Sequence, residues 1–345
     1  MKEQYVMGGD FRITPQDYFQ AKGSSTNPAF FSSGRAALFA IMEDIQQTGQ
    51  QGTVLVPDYL CDSVTHTIAD AGRGFRFYHV GKELLPEWET IEPFLSGALA
   101  ILLISYFGIV DVQPIIEKLR VCCGSGPPAV ILDCVQDFYG TKKLAGYDYV
   151  FNSYRKWFAV PDGAEAHGQT GKYENIFQNA NTFAQYKFAG NVLKSFADVL
   201  DDELYLALIE NGEHILDESY RCQCSAISQR LIPSLDYDDI AQKRRHNAKI
   251  LHEGLMEMNI RHLYREGAVP MAIPVFLEPE LRDKVRKCFF AEKIFVPVHW
   301  PRKDAKYSGE NEIYRRELSL ICDQRYGQEE MQRELSVLRS ALRSA

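Results

Sequence analysis

Apolar strand-like runs alternate with helical stretches through the first 155 residues, and this alternation restricts the fold more than any other feature. The run ALAILLIS begins at residue 98 and is followed by the helical stretch VDVQPIIEKLR, and the next run is AVIL at residues 129–132. Strands that alternate with helices are typical of a mostly parallel sheet covered by helices. We therefore predict an α/β fold.

The length of 345 residues suggests about two domains. We predict an N-terminal arm over residues 1–28, a large domain over residues 29–218 and a small α+β domain over residues 219–345. In the small domain, RLIPSLDYDDIAQKRRHNAKILHEGL is predicted to form one long helix. Strands MAIPVFL, IFVPVHW and ELSLIC follow, with a helix between the first two and a final helix after the third.

Composition excludes several classes of partner. The net charge of −8 argues against a nucleic-acid partner, which favours a basic patch. No apolar run approaches the ~20 residues that a membrane span needs, and the N-terminus lacks the apolar core of a signal peptide. We therefore expect a cytoplasmic protein without a membrane partner. The eight cysteines match no trusted zinc spacing, so we expect reduced thiols and no metal site.

Two side chains within residues 129–166 point to a specific chemistry. Asp133 stands at the carboxyl end of the run AVIL, and Lys156 follows the next predicted strand, YDYVFNSY. Ligands of open α/β sheets bind at the carboxyl ends of the strands. A lysine amine can form an imine with pyridoxal phosphate (PLP), and a carboxylate at the pyridine nitrogen keeps the cofactor ring protonated. We therefore predict that Lys156 and Asp133 hold PLP and are catalytic.

Each of the two residues, taken alone, also has a structural interpretation. An aspartate after a strand is often a turn former, and a lysine there is usually a solvated surface charge. A PLP lysine must also be partly unprotonated, which requires burial or a nearby positive charge. Arg155 could supply that charge, although neighbouring residues on a strand point to opposite faces. We favour the interpretation of the pair as cofactor-binding residues because other parts of the chain fit the same cofactor.

A phosphate site is predicted at the helix start in FFSSGRAALFAIMEDI. The free N–H groups and the positive dipole end of a helix N-terminus suit a phosphate. Ser33 offers a hydroxyl, Gly34 permits close backbone approach and Arg35 offers a guanidinium; the alternative is that Ser33 is only a helix cap. Further along, Tyr59 or Cys61 could contact the cofactor ring, with ordinary core packing as the alternative.

The chain resembles the DegT/StrS-like sugar aminotransferases, which are fold type I PLP enzymes with a mostly parallel, seven-stranded type of sheet. The resemblance covers roughly residues 30–345. No single match decides it, but six matches occur in the family's order. They are SGRAAL (phosphate loop), TVLVPDYLCDSV (strand and Pro turn), ILDCVQDFYG (acid-x-x-Gln), NSYRKW (Ser-x-x-Lys), VPVHWP (His-aromatic-x-Pro loop) and ELSLICDQRYGQEEM (closing strand and helix).

The resemblance implies a role for each matched residue. Lys156 would be the Schiff-base lysine and the proton shuttle, and Asp133 would bind the pyridine nitrogen. Gln136 would contact the ring or its phenolic oxygen. His299 would lie near the substrate, where we also place Tyr59. The phosphate would be bound by the side chain of Ser153 and by the backbone of Gly34, Arg35 and Ala36.

The sequence departs from the family at several of these positions. The usual threonine of the phosphate loop is Arg35, and the aromatic residue that stacks on the ring corresponds to Cys61. The family also implies a homodimer whose partner contacts the phosphate through Asn-Tyr-Arg. The nearest match here is the Ser-Tyr-Arg of residues 219–221. The active site is therefore expected at a dimer interface.

The implied function is transfer of an amino group from an amino acid, plausibly glutamate, to a keto sugar that is often nucleotide-linked in this family. One alternative is another PLP reaction on a sugar, although dehydrating members carry histidine at the lysine position. A second alternative is a non-catalytic binding protein on the same scaffold. The Ser-x-x-Lys of residues 153–156 also occurs in serine acyl enzymes, but these need Ser-Asp-Asn and Lys-Thr-Gly, and neither is present.

Overall fold

The chain is described here by a computed structural model that covers residues 6–21, 31–124, 126, 128–140, 143–168, 171–172, 177, 179, 181–302 and 304–344. Its strands are β1 (Met7–Gly8), β2 (Thr53–Pro57), β3 (Phe75–Tyr78), β4 (Ala98–Ile104), β5 (Ala129–Asp133), β6 (Tyr149–Phe151), β7 (Ala166–Gly168), β8 (Gly171–Lys172), β9 (Ile273–Phe276), β10 (Ile294–Phe295) and β11 (Glu317–Leu320).

The helices surround these strands and continue to the end of the chain. They are α1 (Pro15–Gln20), α2 (Gly34–Gln47), α3 (Asp62–Asp70), α4 (Gln113–Cys123), α5 (Phe183–Leu193), α6 (Asp202–Glu218), α7 (Ala226–Leu231), α8 (Tyr237–Glu257), α9 (Pro279–Ala291), α10 (Ile313–Arg316) and α11 (Gln328–Arg343). None of the described helices is both long and apolar enough to cross a membrane.

The central sheet has seven strands in the order β3-β2-β4-β5-β6-β7-β8 among the described residues. The five strands from β3 to β6 pair in parallel, and β7 and β8 extend the sheet with antiparallel pairing. Nearly every residue of β4 and β5 is buried, as expected for parallel strands that are covered on both faces. The predicted α/β fold with a mostly parallel sheet is confirmed.

Two predicted elements are shorter than the sequence suggested. The strand before Lys156 ends at Phe151, and Tyr154–Lys156 form a turn of 3-10 helix. The predicted long helix after residue 230 is interrupted between α7 and α8 by a short 3-10 turn, Ile232–Ser234. Proline has no N–H for the helical ladder and disfavours helical geometry in the residue before it, which explains this break at Pro233.

The predicted small domain contains an antiparallel pair, β11 with β9, and the long helices α8, α9 and α11. The final helix, α11, packs inward through Met331, Leu335 and Leu338, which are buried. The predicted strand IFVPVHW contributes only Ile294–Phe295, and the residues that follow it up to His299 lie in a loop whose Pro297 carbonyl accepts a hydrogen bond from the Ser319 N–H at 3.0 Å.

The N-terminal segment is more structured than the arm predicted for it. Strand β1 pairs in parallel with β10 of the small domain, and α1 begins with a capping box between Thr14 and Asp17. The side chain of Asp10 accepts a hydrogen bond from Lys187 Nζ in α5 at 2.8 Å. The segment therefore contacts both predicted domains. The boundaries at residues 28 and 218 stay predictions, and residues 1–5 and 22–30 lie outside the described part of the chain.

Candidate active site

A cavity of about 310 Å³ lies at the carboxyl ends of the parallel strands, where α/β sheets bind ligands. It is walled by the start of α2, the ends of β4, β5 and β6, the 3-10 turn after β6, and the loop after β10. The lining residues that the sequence predicted as site residues are Ser33, Gly34, Arg35, Cys61, Asp133, Gln136, Ser153, Lys156 and His299. The fold thus brings together nine of the eleven predicted site residues.

The surroundings of Lys156 lower the pKa of its ammonium group. The 3-10 turn replaces the extended backbone that would have turned Arg155 and Lys156 to opposite faces, and both side chains line the cavity. The positive charge of Arg155, with burial, lowers the pKa of the Lys156 ammonium to about 8. The Lys156 side chain is exposed to the cavity, although protein surrounds that cavity on most sides. An accessible amine with a lowered pKa is what reaction with an aldehyde requires.

A chain of charges holds Arg155 in place. Arg155 Nη1 lies 2.7 Å from Glu213 Oε1, and the same oxygen accepts a hydrogen bond from Lys187 Nζ at 2.8 Å. Lys187, with a side chain that is 3% exposed, also pairs with Asp10. Burial tends to raise the pKa of the Glu213 carboxyl, but Arg155 and Lys187 outweigh this and hold it well below its ordinary value. Glu213 is therefore charged at neutral pH and fixes the Arg155 guanidinium beside Lys156.

Asp133 is the last residue of β5 and is almost fully buried. Burial raises the pKa of its carboxyl to about 7, and the hydrogen bond from the Val135 N–H at 2.9 Å opposes that rise. A carboxyl in such a site is stabilised as the anion when a cation binds beside it. The site therefore favours a positively charged partner such as a protonated ring nitrogen.

Gln136 lines the cavity, and of its two side-chain amide groups only the oxygen has a hydrogen-bond partner among the described residues. Its Oε1 accepts a hydrogen bond from the Phe107 N–H at 3.2 Å, which fixes the amide orientation. The Nε2 group is buried and has no hydrogen-bond partner among the described residues. A buried donor without a partner is costly, so this group is suited to an acceptor on a bound ligand.

The N-terminus of α2 faces the cavity. Ser33 accepts a hydrogen bond from the Ala36 N–H at 3.3 Å, so it is the helix cap as well as a lining residue. A Cβ at Gly34 would lie 3.1 Å from Val135 Cγ2, so glycine keeps this corner open. Arg35 pairs with Asp217 at 2.7 Å. Ala36 is fully buried, so only its backbone could take part in binding.

The two candidates for a ring contact are placed differently. Cys61 lines the cavity, and its sulfur accepts a hydrogen bond from the Ser63 hydroxyl at 3.1 Å. Tyr59 is fully buried behind the lining, with ring centroids 4.9 Å from Tyr314 and 5.3 Å from Trp300. Tyr59 therefore supports the cavity wall instead of lining it, and its placement as a substrate residue stays a prediction.

His299 belongs to two cavities. It lines the cavity described above and also a second one of about 330 Å³, walled by residues around β1 and by the small domain. Both cavities also share Lys156 and Met271. The backbone N–H of His299 donates to Glu317 Oε2 at 2.6 Å, and its ring Nδ1 lies 2.8 Å from Ser319 Oγ. His299 thus stands next to the reactive lysine, at the junction of the two cavities.

Several lining residues were missed by the sequence analysis. Arg155 was considered only as a charge, and Trp300 was only part of a motif; both line the cavity. Met271 was read as the start of a strand, but it precedes β9 and its N–H donates to the Phe107 carbonyl at 2.8 Å. No local pattern marks such a residue, because its position follows from the packing of the small domain on the large one.

The sequence matches no protein-family model and has no significant match among curated proteins. Solved structures resemble the fold closely. A DegT DnrJ EryC1 StrS aminotransferase from Brucella abortus has a TM-score of 0.63 at 15% identity, over 98% of this chain and 91% of that chain. The sugar aminotransferase CalS13 from Micromonospora echinospora has a TM-score of 0.63 at 15% identity, over 96% of this chain and 93% of that one.

A third similar structure is the PLP form of Spr1654 from Streptococcus pneumoniae, with a TM-score of 0.64 at 15% identity over 98% of this chain and 93% of that chain. Likenesses at this identity establish architecture. The chain has the fold type I architecture of PLP-dependent aminotransferases, as the resemblance to DegT/StrS-like proteins predicted.

Proposed function

We propose that this chain is a PLP-dependent aminotransferase that moves an amino group from an amino acid to a keto sugar. The observation that carries the proposal is the convergence of three groups on one cavity: the amine of Lys156, the carboxyl of Asp133 and the N-terminus of α2. PLP has a matching aldehyde, pyridine nitrogen and phosphate.

The residues present fit this cofactor. The unpartnered Nε2 of Gln136 offers a donor to the phenolic oxygen, and Gly34 leaves room for a phosphate at the helix N-terminus. Ser33 and Ser153 offer hydroxyl groups, and Arg35 offers a charged donor that would have to divide its hydrogen bonds between Asp217 and the phosphate.

When bound, PLP supplies a ring that accepts the electrons released as the substrate loses its α-proton. Asp133 would pair with the protonated ring nitrogen, and this pairing would lower the pKa of its carboxyl from the value of about 7 set by burial. Lys156 would hold the aldehyde carbon. Its Nζ would be the group that accepts the substrate's α-proton and returns a proton during the transfer.

The inference about the two substrates rests on the family resemblance and not on the residues that line the cavity. We infer glutamate as donor and a keto sugar, in many cases nucleotide-linked, as acceptor. The name of CalS13, a sugar aminotransferase of the same fold, supports this choice. We also infer a homodimer with the active site at its interface. The Ser-Tyr-Arg of residues 219–221 packs within its own chain, where Arg221 lies 4.0 Å from the centre of the Phe39 ring.

The test is the visible absorption spectrum of the purified protein given PLP, followed by borohydride reduction and peptide mapping. We expect a yellow protein with the reduced adduct on Lys156, and bleaching of the band when glutamate is added. Lys156→Arg keeps the charge but cannot form the adduct, and should remain colourless. Lys249→Ala, a change on the exposed face of α8, is the matched lysine control and should behave as wild type.

Other outcomes separate the alternatives. An adduct on Lys156 without bleaching by any amino acid would leave PLP binding intact and refute transamination. It would favour another PLP reaction on a sugar. A wild-type protein that retains no PLP would refute the enzyme and favour a binding protein on the same scaffold.

A further inference from the structure

His299 is anchored to a buried carboxylate on β11. The Ser319 hydroxyl donates to Glu317 Oε1 at 2.5 Å, and Ser319 Oγ also lies 2.8 Å from His299 Nδ1. Glu317 Oε2 accepts the backbone N–H of His299 at 2.6 Å. The three residues therefore form a closed network in which Glu317 binds both the backbone and, through Ser319, the ring of one histidine.

The network fixes which ring nitrogen of His299 carries the hydrogen. A hydroxyl has one hydrogen, and that of Ser319 is used in its bond to Glu317. Ser319 can then only accept at its contact with His299 Nδ1, so Nδ1 must be the donor. In a neutral imidazole this leaves the lone pair on Nε2. Nε2 has no hydrogen-bond partner among the described residues, and the ring lines both cavities beside Lys156.

Burial of the Glu317 carboxylate is unfavourable in free energy. Glu317 is 1% exposed, and a buried carboxylate is unfavourable unless hydrogen bonds and a nearby cation compensate for its lost hydration. Its two hydrogen bonds both go to the His299 network, and its Oε1 lies 3.8 Å from His299 Nδ1. The guanidinium of Arg286 also interacts with Glu317, which tends to raise the pKa of that arginine, so the carboxylate does not require a charged His299 as its counter-ion.

We propose that His299 presents the Nε2 lone pair to the cavities as a hydrogen-bond acceptor for a substrate N–H or O–H group, with Ser319 and Glu317 as positioning residues. This inference rests on the proposed function, since it deepens the description of the same site. The bound group is either the ammonium of the amino donor or a hydroxyl of the sugar acceptor. Both offer the hydrogen that the lone pair requires, whereas a carboxylate or a carbonyl offers none.

The first test is independent of turnover. In cofactor-free protein labelled with ¹⁵N-histidine, nitrogen–proton couplings show which ring nitrogen is protonated when the imidazole is neutral. His299→Asn identifies the His299 signal among the eight histidines. We expect the Nδ1–H form in wild type and its loss in Ser319→Ala. Ser195→Ala is the matched control, because that hydroxyl only donates to the Val192 carbonyl in its own turn. An Nε2–H form in wild type would overturn the proposal.

The second test locates the bound group. The half-reactions with amino donor and with keto acceptor are measured separately for Ser319→Ala, Glu317→Gln and His299→Asn. Asn keeps a donor near the Nδ1 position but has no acceptor at the Nε2 position. We expect KM to rise roughly tenfold, the equivalent of one hydrogen bond, in one half-reaction only. A rise for the donor indicates the ammonium, and a rise for the acceptor indicates the hydroxyl.

The outcomes separate this inference from the function on which it rests. A protein that binds PLP and turns over, but whose variants leave both KM values unchanged, refutes the role of His299 alone. A protein that retains no PLP refutes the proposed function, and the tautomer of His299 still decides whether Ser319 and Glu317 position the ring.

Discussion

Replacing Arg155 should make Lys156 harder to deprotonate. The Arg155 charge is the largest cause that lowers the pKa of Lys156 to about 8, and burial adds to it. In Arg155→Gln that cation is gone, while Glu213, which raises the pKa of Lys156, remains nearby. Both consequences stabilise the ammonium form, so the pKa of Lys156 should rise.

The size of the rise follows from the exposure of the lysine. A neighbouring charge commonly shifts a pKa by 1–3 units. Because Lys156 is exposed to a cavity that admits water, screening favours the lower end of that range, about 1 unit. Near pH 7, a rise of one unit reduces the unprotonated fraction roughly tenfold. Glu213→Gln keeps an amide oxygen that can still accept a hydrogen bond from Arg155, and it should act in the opposite direction because it removes the anion that favours the lysine ammonium.

The assay is competitive acetylation of lysine amines in the cofactor-free protein, from about pH 6 to 11 to bracket the titration. Peptide mapping gives the labelling of Lys156 at each pH. Arg155→Lys retains a cation and should stay close to wild type. Arg35→Gln removes another arginine of the same cavity, one that is paired with Asp217, and should leave the curve in place. A curve for Arg155→Gln that coincides with wild type, or moves to lower pH, would refute the electrostatic argument.

Two further predictions concern stability. Burial holds the pKa of Asp133 near 7 in the folded protein, above its ordinary value of 3.8, so its contribution to stability is present at low pH and is lost as pH rises through about 7. Asp133→Asn should therefore stabilise the cofactor-free protein above that pH, by as much as about 4 kcal/mol, while weakening PLP retention. Urea unfolding at pH 4 and 8 with PLP equilibrium dialysis checks both, and an equal effect of the substitution on stability at the two pH values would contradict it. Lys187→Met should cost about 1–2 kcal/mol near neutral pH, less than a fully buried pair because Glu213 is 39% exposed. The lowered pKa of Glu213 gives stability that is present above its ordinary pKa and lost in acid, so the cost should shrink as pH falls below about 4. Lys249→Met, which breaks an exposed pair, should cost under about 0.5 kcal/mol, and an equal loss in both variants would refute the role of burial.

The sequence predicted the elements whose signals are local. Buried parallel strands appear as continuous apolar runs, and β4 and β5 lie where ALAILLIS and AVIL indicated. Asp133 and Lys156 were predicted as site residues because the carboxyl end of a strand can be located from the run that precedes it, and both line the cavity. The start of α2 was found because Ser33 and Gly34 are typical of a helix N-terminus.

The tertiary structure alone decided how these pieces act on one another. The turn of 3-10 helix that brings Arg155 to the same cavity as Lys156 has no distinct sequence pattern, and it converts a neighbour in sequence into an electrostatic partner. Glu213 is 57 residues beyond Lys156 (213 − 156 = 57), and its pairing with Arg155 requires α6 to pack against the site.

The hydrogen-bond network behind His299 also depends on the tertiary structure. The resemblance implied that His299 would lie near the substrate, but the side chains that contact its ring nitrogen and its backbone are Ser319 and Glu317 of β11. Tyr59 is a second example. The sequence offered it as a contact for the cofactor ring or the substrate, but its side chain is buried behind the cavity wall. Periodicity and turn chemistry act over a few residues, so a single sequence reveals them. Side-chain orientation, burial and charge pairing depend on segments far apart in the chain, and only their packing determines the chemistry of the site.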